Sequence, residues 1–278
     1  MRITDFDLYK DLLKEHSGLV LTPDKSYLLD SRLSSIAKKW GYPSLDAMTI
    51  TLQAVPDKNL VIDVVEAMTS NETSFFRDIR PFNTFKDTIL PYLIKNRASK
   101  RQLKIWCAGA ASGQEPYSLA MLLQENEDKM AGWKIDILAT DISNEVLSQA
   151  RQGVYSQFEV QRGVPIRTLI KHFIQNDEKW EIHENLKKMV RFQHFNLLHN
   201  MTSLGRFDVI FCRNVLSDFD DETKSRTLTG MEKQLEKDGV LFLGAKETLP
   251  ETGQSFKAVA DKRGLYAPKD SPHHKTAL

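Results

Sequence analysis

Between Leu103 and Ser118 the chain reads LKIWCAGAASGQEPYS, and this stretch limits what the rest can build. Leu103–Cys107 is a short apolar run of the kind that forms a buried strand. It breaks into a turn of small residues, Ala108 to Gly113, and Glu115-Pro116 then opens a helical pattern continued by Leu119, Met121, Leu122 and Leu123. Proline suits the first turn of a helix, where its missing N–H removes no bond. Strand, glycine turn and helix in this order predict an α/β sheet that offers backbone N–H groups and a positive helix end to a bound cofactor.

The spacing of the turn argues against two nucleotide motifs. Gly109 and Gly113 are four apart, so the dinucleotide pattern G-x-G-x-x-G is absent, and no G-K-[ST] follows for a triphosphate. The next strand, Lys134–Ser143 (KIDILATDIS), carries Asp141 at its carboxyl end. In a doubly wound sheet that is where an acid accepts hydrogen bonds from ribose hydroxyls. A small-residue turn with a second-strand acid fits S-adenosylmethionine and fits a dinucleotide poorly. Asp141 has a second reading, as the N-cap of a helix over Ile142–Ala150.

A chain of 278 residues holds one large domain or two ordinary ones. Its 38 basic and 37 acidic residues balance, so neither nucleic acid nor anionic lipid is expected as a partner, and a charged partner must meet a local patch. Cys107 and Cys212 both lie in apolar strand-like runs, as buried thiols of a cytoplasmic protein do, and two cysteines so placed make no metal site. The start, MRITDFDLYKDLL, lacks a basic n-region followed by an apolar h-region, and no run nears the roughly eighteen apolar residues of a membrane span.

Before the sheet come four helical patterns, Asp5–His16, Lys25–Trp40, Ser44–Val55 and Asn59–Met68, separated by the breakers Thr22-Pro23, Gly41-Tyr42-Pro43 and Val55-Pro56. In the second pattern Leu29, Leu33, Ile36 and Trp40 form an apolar stripe, and Lys25, Arg32 and Lys39 recur every seven residues along its flank. That flank is either a solvated helix edge or a docking surface for an acidic partner. A linker helix is expected over Pro81–Arg97. Strands follow at Val190–Leu198, Phe207–Asn214 and Gly239–Gly244, a helix at Asp221–Leu235, and a hairpin at Ser255–Pro268 turning at Lys262-Arg263-Gly264. Gln152–His183 is longer than a crossover needs and reads as an insertion of two or three strands, where loops at a cofactor edge place substrate recognition. The terminal SPHHKTAL reads as a polar, frayed tail with His273-His274 as no ligand pair.

With these segments in view, the chain resembles the CheR family of chemotaxis receptor methyltransferases, S-adenosylmethionine-dependent protein-glutamate O-methyltransferases. Six motifs carry the resemblance in order: NETSFFRD (71–78), AGAASGQEPYSLAM (108–121), ATDIS (139–143), YSQFEVQRGVP (155–165), FNLL (195–198) and FCRNVL (211–216). The resemblance implies a helical domain over 1–72, a linker over 73–98, and a doubly wound methyltransferase domain over 99–278 with a small antiparallel β-subdomain inserted at about 152–190. It implies S-adenosylmethionine as cofactor, S-adenosylhomocysteine as product, and a monomer acting on the cytoplasmic helical bundle of chemoreceptors.

By position in the motifs, Asn71, Thr73 and Arg77 then reach the cofactor from the linker, with Gly109 in the turn. Glu115 meets its methionine or ribose portion and Asp141 the ribose hydroxyls. Asn196-Leu197 and Arg213-Asn214 line the adenine and methionine side. Each has a plainer reading: Asn71 and Thr73 as turn formers or caps, Arg77 in a surface pair with Asp78 or Glu72, and Arg213-Asn214 as an ordinary strand exit. A glutamate acceptor is already ionised at neutral pH, so the transfer calls for alignment and exclusion of water rather than a metal, a triad or a covalent intermediate. Arg77, a planar donor fork, is the expected catalytic group that orients the incoming carboxylate.

The chain departs from the family pattern at Ser217-Asp218, where Ile-Tyr often precedes Phe-Asp, and mildly at Gln114, where many members carry Glu. The first departure favours an alternative, a cofactor-binding adaptor of a signalling complex. A methyltransferase of small carboxylic acids would leave the helical domain without a purpose. Some family members bind a receptor's C-terminal pentapeptide through a longer, glycine-rich loop in the insertion. Phe173–Trp180 is short and has no glycine, so independence of such a peptide is expected.

Overall fold

A computed structural model of the chain describes residues 3–251 and 255–275. They form two compact units, one of residues up to Ser70 with Asp218–Thr223, the other of Asn71–Ser217 with the chain from Lys224 on.

The first unit is built from α1 (Ile3–Ser17), α2 (Tyr27–Lys39), α3 (Leu45–Ala54) and α4 (Lys58–Met68). Its helix starts follow from the sequence: Ser44 accepts the Ala47 N–H, and Asp57 accepts those of Asn59 and Leu60, filling orphan donors. Tyr9, Leu13, Leu29, Leu33, Met48, Leu60 and Val64 are buried, and the Tyr9 hydroxyl lies 2.8 Å from Thr49 Oγ1. The segment Asp218–Thr223 joins this unit through a bridge between Leu19 and Phe219 and a bond from the Val20 N–H to the Asp218 carbonyl (2.8 Å).

The expected helix Lys25–Trp40 starts late. Pro23–Lys25 is a separate 3₁₀ turn, so Lys25 stands before α2 and only Arg32 and Lys39 share its flank. Proline at the first position of the turn sets φ but does not carry it into the helix. All three cations have partners within the unit. Lys25 lies 3.6 Å from Asp218, and Lys39 pairs with Asp63 at 2.8 Å. Arg32 Nη1 donates to the carbonyls of Met68 (2.8 Å) and Thr69 (3.0 Å), closing the C-terminal end of α4.

The second unit contains a seven-stranded sheet and a three-stranded one. The larger has β1 (Gln102–Ala108), β2 (Lys134–Asp141), β6 (Val190–His194), β7 (Phe207–Cys212), β8 (Leu235–Leu243), β9 (Phe256–Ala258) and β10 (Leu265–Pro268), in the order β6-β2-β1-β7-β8-β10-β9. β6, β2, β1, β7 and β8 are parallel, whereas β10 is antiparallel to β8 and to β9. Strand order reverses between β2 and β7 on either side of β1, the switch point at which such sheets bind ligands. β7 is buried throughout, as its apolar run requires.

The smaller sheet is the insertion: β3 (Val154–Ser156), β4 (Phe173–Asn176) and β5 (Lys179–Ile182), ordered β3-β5-β4. Phe173–Trp180 is therefore mostly strand, and only Asp177-Glu178 turn the chain, Asp177 with φ 53°. Tyr155, Val160, Val164, Leu169, Phe173 and Ile182 of the insertion share one buried core with β1, β2 and β7.

The linker helix contains one π turn, Phe85–Ile89, between α-helical Arg80–Thr84 and Leu90–Asn96. Pro91 lacks the N–H that would continue the α pattern, which accounts for a π turn before it. The tail is not frayed over Ser271–His274. Pro272–His274 is a 3₁₀ turn, His273 is buried with Nε2 2.9 Å from the Asp238 carbonyl, and its ring lies 4.6 Å from that of Tyr92. Thr276–Leu278 lie outside the described residues. No described helix is long and apolar enough to cross a membrane.

Candidate active site

β1, β2 and β7 end at one sheet edge, with Ala108 in register with Thr140 and with Cys212. The glycine turn folds over this edge: the N–H groups of Gly109 and Ala110 both donate to the Thr140 carbonyl, at 2.8 and 2.9 Å. Gly109 has φ 79°, and a Cβ there would sit 2.3 Å from Val215 Cγ2. Glycine is required on both counts. Asp141 staples the turn to β2, accepting the Ala111 N–H at Oδ2 (2.9 Å) and the Ser143 N–H at Oδ1 (3.0 Å). The helix cap expected of it belongs to Ser143, whose Oγ accepts from Val146 at the start of the helix Asn144–Gln152.

Glu115, in the first turn of the helix Gln114–Gln124, meets Arg213 from the end of β7. Arg213 is 1% exposed at its side chain; Nη1 donates to Glu115 Oε2 (2.8 Å), Nη2 to the Arg77 carbonyl (2.7 Å) and to Asp78 Oδ2 (3.1 Å). Its guanidinium carbon is 5.5 Å from the centroid of the Phe82 ring. Burial raises the Glu115 carboxyl above its ordinary range, and Arg213 opposes that shift. Arg213 thus binds β7, the post-turn helix and the linker motif into one piece, more than a strand exit requires.

The linker motif is fixed from its other side too. The Phe76 N–H donates to Ser118 Oγ (2.9 Å), and Phe75 lies edge-on to Tyr155 and Phe173 at 4.9 and 5.5 Å between centroids. Arg77 Nη1 donates to the Glu72 carbonyl (2.8 Å), not to a carboxylate. Among the described residues the side chains of Asn71 and Thr73 have no hydrogen-bond partner, so they cap no helix. After β6, Asn196 Oδ1 accepts the Leu198 N–H at 3.0 Å and Leu197 is half-buried. Arg213 Nε and Asn214 Oδ1 are buried with no partner in the chain. Asn214 has φ 61°, a left-handed conformation that asparagine tolerates better than most residues.

Sequence reasoning missed Glu247. It is 7% exposed and lies four residues past β8, with a carboxylate that accepts N–H groups from Asn214 (2.7 Å), Gly244 (2.7 Å) and Ser217 (3.1 Å). The available signal was an acid just beyond a parallel strand's carboxyl end, the same placement that singled out Asp141. Among the described residues no cluster of three His, Cys, Asp or Glu gathers to hold a metal.

The family model described as "CheR methyltransferase, SAM binding domain" matches residues 71–265, and "CheR methyltransferase, all-alpha domain" matches residues 4–69. "Chemotaxis protein methyltransferase Cher2" of Pseudomonas putida is 36% identical over 265 residues, 94% of this chain and 96% of its own. The "Chemotaxis protein methyltransferase" of Vibrio parahaemolyticus is 38% identical over 263 residues, 92% of this chain and 94% of its own. Both family domains are matched in order and identity extends over nearly the whole of each relative, so the chain belongs to the CheR methyltransferase family, with an all-α domain followed by an S-adenosylmethionine-binding methyltransferase domain.

Proposed function

We propose that this chain methylates glutamate side chains on the cytoplasmic helices of chemoreceptors, forming glutamyl methyl esters and S-adenosylhomocysteine. Family membership supports the reaction class. The observation that carries the site is the convergence of the Gly109 turn, Asp141 and the Glu115–Arg213 pair at the carboxyl ends of β1, β2 and β7. The polar groups left over there fit a nucleoside carrying an amino acid. The buried, unpartnered Asn214 Oδ1 is an acceptor for an ammonium or amino group, and the unbonded side chains of Asn71 and Thr73 add donors and acceptors. With these, Gly109, Glu115, Asp141, Asn196, Leu197 and Arg213 would hold S-adenosylmethionine.

When bound, the cofactor supplies an activated sulfonium methyl. The acceptor carboxylate needs no base at neutral pH, so the chain's work is to align it and keep water out. Arg77, anchored by one nitrogen on the Glu72 carbonyl, keeps further donors to orient that carboxylate. Lys25 and Lys39 sit in exposed ion pairs that receptor carboxylates can replace at little cost, while Arg32 holds the end of α4 between them. The two-residue turn at Asp177-Glu178 supports independence of a receptor pentapeptide.

The Ser217-Asp218 departure favours the adaptor reading, since Asp218 is spent on Lys25. Transfer of labelled methyl groups from S-adenosylmethionine to receptor fragments, in alkali-labile form, decides between the two; cofactor binding without transfer would leave the adaptor. Calorimetry on Asp141→Ala tests the site. Losing a charged hydrogen bond weakens binding roughly tenfold or more, and unchanged affinity in a folded variant would remove Asp141 from it.

A further inference from the structure

We propose that Glu247 is a positioning residue of the cofactor site, acting through the loop Arg213–Ser217; this rests on reading that edge as the S-adenosylmethionine site. One carboxylate ties both halves of the loop, through the Asn214 and Ser217 N–H groups, to Gly244 at the end of β8. Among the described residues it forms no ion pair, so backbone N–H groups take the place of a cation. The packing admits nothing else: a Cβ on Gly244 would lie 2.7 Å from Glu247 Oε2 and 2.9 Å from Asn214 Nδ2.

The anchored loop carries two site groups with opposite needs. Arg213 is engaged through both terminal nitrogens, with Glu115 and with the linker. Asn214, held at φ 61°, keeps Oδ1 buried and without a partner. A buried acceptor without a partner is costly, and a left-handed asparagine adds strain. The bonds to Glu247 from the Asn214 N–H itself and from the Ser217 N–H three residues on hold that arrangement within the chain, so that a bound ligand does not have to impose it.

Glu247→Gln separates this role from bulk. The amide has one acceptor oxygen, so its NH2 group meets at least one of the three N–H donors. Full-length wild type, E247Q and E247D are compared by calorimetry with S-adenosylhomocysteine, by steady-state methyl transfer, and by amide hydrogen exchange over 213–217. E247Q is expected to bind about tenfold more weakly. KM for S-adenosylmethionine should rise with kcat little changed, and exchange should quicken in that loop alone. E247D, which keeps both anionic oxygens, should recover part of the loss. A second variant, Ser217→Pro, deletes one donor without touching the carboxylate and is expected to weaken binding by a smaller factor, covering the case in which E247Q does not fold. Affinity within twofold of wild type for the folded variants, or faster exchange spread evenly over the chain, overturns the proposal. Failure of wild type itself to bind would overturn the site reading, whereas tight wild-type binding with an indifferent E247Q overturns only the role of Glu247.

Discussion

Replacing Arg213 with methionine keeps most of the side chain's bulk and removes the cation facing Glu115. Breaking a buried pair from one side costs about 3–5 kcal/mol, because the remaining charge is stranded. Two features place this case near the lower end. Asp78, the second carboxylate on Arg213, is 44% exposed at its side chain and returns to water. Glu115 can take up a proton, since burial already raises its carboxyl. A loss of about 3 kcal/mol corresponds to a fall in melting temperature of roughly 6–12 °C for a domain of this size. Thermal unfolding followed by circular dichroism measures it in wild type, Arg213→Met, Glu115→Gln and the double variant, and the double variant should regain most of the loss. The pH dependence has a definite sign. With Glu115 stranded, the folded state holds its proton more tightly than the unfolded chain, so stability falls as pH rises between the two pKa values. The deficit of Arg213→Met should therefore shrink from about pH 8 to about pH 5. Equal melting temperatures, or a double variant no better than the single, would refute the stranded-charge reasoning.

Gly109→Ala should lose about 1–3 kcal/mol from backbone strain and the overlap with Val215. Adding Val215→Ala should recover only the steric share, and a melt showing full recovery would argue against strain at φ 79°. Asp220 is held down to about 2 from 3.8, first by the hydrogen bond from Lys14 and then by Thr223. The unfolded chain takes up that proton first, so the contribution is complete above about pH 4 and lost as pH falls toward about 2. Asp220→Asn should flatten that part of an acid-unfolding curve, and an unaltered curve would discount the pair. Reversing charge at Lys25 and Lys39 together should slow receptor methylation and leave S-adenosylhomocysteine affinity unchanged, and the wild-type rate should fall with salt. Equal rates would reduce the two lysines to a solvated surface.

The glycine turn and Asp141 were legible because their geometry is local: strand, turn and helix follow one another, and an acid at a strand end declares its edge. The helices of the first unit were legible for the same reason, through periodicity and breakers. What escaped reading depends on segments distant in the chain. Arg32 has the pattern of a surface cation, yet its partners are the carbonyls of Met68 and Thr69. Glu247 reaches back to Asn214 only because β8 lies beside β7. The polar tail holds through His273, whose place beside Tyr92 no spacing announces. The double engagement of Arg213 was hidden likewise, since Glu115 and Asp78 lie 98 and 135 residues before it in the chain.

The Tyr155 hydroxyl donates to the Ser112 carbonyl (2.8 Å), and a Cβ on Gly163 would lie 2.0 Å from the Phe75 carbonyl oxygen. Through these two points the inserted β-sheet touches the glycine turn and the linker motif, and its side chains complete their core. The insertion is therefore no detachable module. Grafting a relative's version to change receptor preference would disturb the cofactor turn unless tyrosine and glycine were kept at those positions. Variation is free where the sheet faces outward, at the Asp177-Glu178 tip and along the outer edge of β4. New recognition can be drawn there while the cofactor pocket stays as it is.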